Sequence, residues 1–119
     1  MKSAGDSSAF IITFDEKLHH IRTVRLKRRG LMNSETVAAT AERVISETNA
    51  SNFVLVHNHP IGILTPSSAD RITTELLMKK YSNSGVRFLE HYIVSGDEYV
   101  TMINKTTNSR YDLSGKDKT

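Results

Sequence analysis

The sequence has no cysteine. Disulfides and thiolate metal sites are therefore excluded, and any metal must be held by His, Asp and Glu. A chain without cysteine fits a cytoplasmic location best. Long apolar runs are missing too. None exceeds four residues, as in FVLV at 53–56, so no transmembrane helix is expected. The opening residues, MKSAGDSSAF, lack the apolar core of a signal peptide, so no export signal is expected. Acidic residues are absent from one stretch: residues 22–29, RTVRLKRR, hold five basic residues and no acidic one. Outside it, 11 basic residues face 13 acidic ones. The formal charge of +3 is thus local to one segment, and such a patch can attract an anionic partner.

What is present suits one soluble domain. The chain has 119 residues, 38% hydrophobic and 24% charged, enough for a single core. Residues 9–14, AFIITF, read as a buried strand, and Asp15-Glu16-Lys17 as a turn. Residues 18–27 alternate, with Ile21, Thr23, Arg25 and Lys27 on one side, and read as a second strand in a hairpin with the first. Asn33 or Ser34 can cap a helix over about 34–48, with Val37, Ala41, Val44, Ile45 and Thr48 at helical spacing. FVLVH at 53–57 is apolar on both faces and reads as a central strand covered on both sides. Pro66-Ser67 opens a second helix with apolar positions Ala69, Ile72, Leu76, Leu77 and Tyr81, and Gly85 is its expected cap. Residues 86–94 and 98–103 read as two more strands, and the segment from 104 onward as a polar, frayed tail. The order is ββαβαββ, a mixed β-sheet with helices packed on it, in one domain over 1–119 with its core at about 9–103.

The chemistry concentrates in residues 57–70, HNHPIGILTPSSAD. Side chains at i and i+2 of a strand share a face, so His57 and His59 can present two imidazoles to one point. Asp70 falls in the first turn of the following helix. Two His and one carboxylate make the three-ligand set of a catalytic zinc, which leaves one position for water. Ser67, three residues earlier, can donate to an oxyanion. Each residue also has a purely structural reading. Ser67 and Asp70 form a capping box, an acid is favourable at a helix start without any metal, and Pro60, Gly62 and Pro66 suit turns.

The whole string resembles the signature of the JAB/MPN (JAMM) metalloprotease superfamily, H-x-H-P followed by S-x-x-D. It is most similar to the RadC-like branch, which carries H-N-H-P-S-G and then P-S-x-x-D. The matching residues are His57, Asn58, His59, Pro60, Gly62, Pro66, Ser67 and Asp70. Asn49-Ala50-Ser51 and Leu89-Glu90-His91-Tyr92-Ile93-Val94 look like RadC-type flanks, so the resemblance spans roughly residues 10–103. It implies an α/β domain of cytidine-deaminase-like architecture, one zinc ion on His57, His59 and Asp70, and Ser67 assisting the oxyanion.

The pattern breaks upstream. The family carries a glutamate as general base near the end of the second strand, and here the count lands on Arg25. The neighbours Val24, Leu26 and Lys27 supply no carboxylate. The remaining candidates for a base are Glu16, Glu35 and Glu42. An arginine at that position is expected to weaken metal binding and to favour an anionic ligand. Ile61 stands where the family has serine. His91 falls at a family-typical histidine and reads as structural or as an orienting partner, while His19 and His20 read as exposed strand residues.

Three functions compete: a zinc-dependent peptide or isopeptide hydrolase, a pseudoenzyme that recognises a protein partner, and a nucleic-acid module. The third follows from the DNA-repair label of RadC-type proteins and from Arg22, Arg25, Lys27, Arg28 and Arg29, an anion-binding set that could also be edge-strand charges. No membrane partner is expected.

Overall fold

The structure, a computed structural model, describes residues 8–27 and 33–108. Strands β1 (Ser8–Phe14) and β2 (His20–Lys27) precede helix α1 (Ser34–Thr48). Then come β3 (Asn52–Asn58), helix α2 (Ser68–Lys80), β4 (Arg87–Ser95), β5 (Glu98–Thr101) and β6 (Thr107–Asn108). They form one six-stranded sheet in the order β2-β1-β3-β4-β5-β6. β3 and β4 run parallel, joined by α2, and every other pair is antiparallel. Neither described helix is long and apolar enough to cross a membrane.

Register decides which residues meet. Ala9 lies opposite both Leu26 of β2 and His57 of β3. Leu55 lies opposite Ile11 of β1 and His91 of β4. Residues directly opposite share a face. This face therefore carries Ala9, Ile11, Leu26, Leu55, His57 and His91. Val37, Ala41 and Ile45 of α1 and Leu77 of α2 pack on it with Phe53. Fully burying each Ile, Leu, Val or Phe contributes about 1.5–3 kcal/mol. α1 is set by its caps: the Asn33 side chain accepts from Thr36 N at 2.8 Å, and Asn49 closes the far end at φ 53°.

Four expectations change. β2 begins at His20, because Asp15 Oδ1 accepts from the Lys17 and His19 amides and draws the turn out to His19. β3 is central, but both described helices lie on one face, so among the described residues helix cover is found on one side only. α2 ends at Tyr81, whose ring turns onto Phe53 at 5.0 Å, and Gly85 (φ +85°) serves the turn before β4 instead. The segment after 103 is not all tail. Thr101 and Thr106 bond each other, and the chain returns as β6 against Tyr99 and Val100.

α2 also sits at an unexpected rotation. Its buried residues are Asp70, Thr73, Thr74 and Leu77, while Ile72 is 57% exposed. The inner face is largely polar. Ala69 and Ile72 of the apolar stripe are turned outward and Leu76 is only half-buried, so that Asp70 can face the end of β3.

Candidate metal centre

His57 is the penultimate residue of β3, and its imidazole points to the helical face. His59 lies one step past the strand, where its amide extends the parallel ladder to Val94 O at 2.8 Å. The adjoining loop is tied down by Ser95. Its hydroxyl donates to Pro60 O and accepts from Gly62 N, both at 2.8 Å, and Gly62 holds φ +88° there. This returns the chain to Ser67, the N-cap of α2.

Ser67 and Asp70 form a capping box, and the same carboxylate also gathers both histidines. Ser67 Oγ accepts from Asp70 N at 3.1 Å. Asp70 Oδ2 accepts from Ser67 N at 2.8 Å, from Ser67 Oγ at 3.0 Å and from His59 Nε2 at 3.0 Å. Asp70 Oδ1 accepts from His57 Nδ1 at 2.5 Å. The two structural and chemical readings of 57–70 are therefore one arrangement. Burial pushes the Asp70 carboxyl up, but the bonds from His57 and the Ser67 amide outweigh it and hold the group well below the usual carboxylate range. Asp70, 2% exposed, is thus an ionised acceptor, and the nitrogens facing it donate.

His91 of β4 completes the cluster. Its ring lies 6.3 Å from that of His57, nearly parallel at 21°. Its Nδ1 is 2.7 Å from Thr74 Oγ1. Burial lowers its pKa to about 4, so it is neutral at pH 7. One ligand atom from each of His57, Asp70 and His91 lies within 4.8 Å of the others, so this buried group could hold a metal ion. Two observations make a cation fit. His57 Nε2 and His91 Nε2 are buried with no partner among the described residues. A cavity of about 20 Å³ is lined by both histidines and Asp70.

The sequence-predicted residues divide clearly. His57, His59, Asp70 and Ser67 come together. Arg25 does not join them. It lies opposite Phe10, which lies opposite Val56, and these positions face away from His57. Its guanidinium donates to Ser8 Oγ at 3.0 and 3.3 Å and sits 5.9 Å from the Phe10 ring centre. The expected positive charge beside the metal is therefore not found there. On the His57 row the β2 residue is Leu26, 7% exposed. Of the other acids, Glu16 lies at the opposite end of the sheet, beyond Phe14. Glu42 pairs with Lys80 at 3.4 Å. Glu35 is exposed in the first turn of α1. Arg22 bonds Glu47 at 2.8 Å, and Arg28 and Arg29 fall outside the described residues, as does the side chain of Lys27.

His91 has no spacing motif toward His57. Only the parallel register of β3 and β4, Leu55 opposite His91, brings it in. His19 and His20 are exposed and bond Asp15 and Thr23, away from the cluster.

A family model described as RadC-like JAB domain matches residues 1–108.

Proposed function

The chain belongs to the RadC-like JAB domain family, and from that premise we propose that it is a zinc-binding domain of the JAMM hydrolase type with weakened turnover. The observation that carries this reading is the convergence of His57, His59 and Ser67 on one ionised carboxylate, Asp70. Imidazole and carboxylate donors without thiolates suit zinc. His57, His59 and Asp70 would hold the ion, which supplies Lewis acidity that polarises a carbonyl and acidifies water. The substrate class is a peptide or isopeptide bond, and the partner a protein or peptide.

The chain's own residues supply the remaining chemistry. Ser67 Oγ gives its hydrogen to Asp70, but the Ser67 amide already bonds the same oxygen. The hydroxyl can therefore turn its hydrogen to a substrate oxyanion without stripping Asp70 of its support. A general base is the weak point. Leu26 occupies the β2 position on the His57 row, and a positioned base is worth about 10²–10⁴ in rate. A pseudoenzyme that keeps the partner surface is the second reading, favoured by that same Leu26. A nucleic-acid role draws less support, because Arg22 is engaged by Glu47 and Arg25 by Ser8. A cytoplasmic location belongs to the same proposal.

The test is hydrolysis of a panel of peptide and isopeptide bonds by zinc-loaded protein. Slow, chelator-sensitive turnover that falls further in Ser67→Ala supports the hydrolase. Turnover that persists in chelator contradicts it, and none at all leaves the partner-binding reading.

A further inference from the structure

A groove runs along the β5 side of α2. Val100 of β5 lies opposite Ile93, which lies opposite His57, so Val100 belongs to the helical face of the sheet. It lines a cavity of about 570 Å³ together with Pro66, Met78, Met102 and Ile103. A second cavity, of about 340 Å³, shares Met78 and Ile103 and continues to Tyr81 and Phe88. Together they follow the length of α2, about 20 Å for its 13 residues. An extended chain of about six residues covers that distance.

One end of the groove reaches the site. Pro66 precedes Ser67, and Thr74, which also lines the groove, bonds His91 at 2.7 Å. The wall opposite α2 is tied in place. Met102 N donates to His91 O at 2.9 Å, and the buried Glu90 carboxylate accepts from the amides of Ile103 and Asn104. Lys105 follows at φ 56°. A turn made only for the fold favours Gly or Asn at such an angle, where a lysine is strained. Lys105 and Arg71 are both exposed and line the groove, against one acid, Glu75. No ion pair joins any of the three to another described residue.

We propose that this groove seats an extended segment of the substrate polypeptide. A large apolar side chain lies between Met78, Val100 and Ile103, and an acidic side chain faces Arg71 and Lys105. The inference rests on the hydrolase reading of the site and gives its substrate a sequence preference. Because the groove ends at Ser67, the selected residues flank the bond presented to the centre.

The experiment is a binding screen of the full-length, metal-free protein against dye-labelled octapeptides, each fixed at one position and random elsewhere. The expected result is a preference for Leu, Met or Phe at one position and for Asp or Glu at another. Ser for the apolar residue should weaken binding at least about tenfold, and Lys for the acid about fivefold. Met78→Glu, at a position 45% exposed, should abolish the apolar preference. Lys105→Gly, which suits φ 56°, should together with Arg71→Gln abolish the acidic one. Methyl signals of Met78 and Met102 should shift as a selected peptide saturates the unaltered chain. No binding, binding without preference, or Met78 and Met102 signals that stay in place overturn the proposal. An acidic preference that survives loss of both cations overturns the charge assignment. A wild-type dimer that Met78→Glu dissociates assigns the groove to a second copy and also overturns the proposal. Zinc-loaded protein is then given the selected peptide: binding without cleavage removes the hydrolase reading alone and leaves the selectivity of the groove standing.

Discussion

Replacing Asp70 by Asn keeps the side chain's shape and removes its charge. The carboxylate accepts from His57 Nδ1, His59 Nε2, Ser67 N and Ser67 Oγ. An Asn can present one oxygen to these donors and must turn an NH₂ group toward the rest. At least one histidine must then shift its ring hydrogen to its other nitrogen to accept from that group, or the Ser67 amide is left facing a donor in a buried site. Hydrogen bonds to a charged group are worth about 1.5–3 kcal/mol each, and the capping box about 1 kcal/mol more. Some of this is regained because Asn needs less desolvation. A net loss of about 3 kcal/mol at pH 7 is expected in chelator-treated protein. With a urea slope of about 1.5 kcal/mol per M, the midpoint falls by about 2 M. The sign with pH is fixed as well. A carboxyl whose folded pKa is depressed contributes stability above its unfolded value of about 3.9 and loses it as pH falls further. The gap between wild type and D70N must therefore narrow below about pH 4. A midpoint within about 0.3 M of wild type at pH 7, on the order of 0.5 kcal/mol, would refute the role of Asp70 as the hub.

Three more outcomes are expected. His91, with a folded pKa of about 4 against 6.5 unfolded, is protonated first in the unfolded state, so metal-free protein loses about 3 kcal/mol between pH 7 and pH 4 through this residue. Urea midpoints across that range should fall more steeply for wild type than for H91Q, and equal slopes contradict the reasoning. Arg25→Ala should leave zinc affinity within about threefold by competition titration, because its side chain faces away from His57; a clear gain in affinity would restore the charge-repulsion expectation. Glu90, 4% exposed, accepts from the amides of His91, Ile103 and Asn104 and from Asn104 Nδ2. Each carboxylate oxygen accepts two of these bonds, so Glu90→Gln turns an NH₂ group toward two of the donors, at a cost of about 1–3 kcal/mol for each left unpaired. Amide exchange at Ile103 and Asn104 should then quicken while β3 stays protected.

Much of this architecture could be read along the chain. α1 followed its apolar spacing, because nothing but packing determined its face: Val37, Ala41, Val44 and Ile45 are all buried. α2 did not, because a buried carboxylate overrode hydrophobic periodicity and turned Ile72 outward. His57, His59, Ser67 and Asp70 were legible because strand end, turn and helix start lie within 14 consecutive residues. His91 and Arg25 were not, and for the same reason. Whether a strand residue faces the site depends on register with a strand far away in sequence, and one step of register reverses the face. Counting placed Arg25 beside the histidines, but pairing through Phe10 places Leu26 there instead. Glu90 was read only as part of a flanking motif, and its work in anchoring residues 103–104 shows once the strands are assembled.

The decisive measurement is the metal content of the full chain after zinc titration and desalting, made side by side for wild type and D70N. One zinc per wild-type chain and none in D70N is the predicted result. A wild-type chain without zinc, or a D70N chain that retains it, would contradict a metal centre built around Asp70.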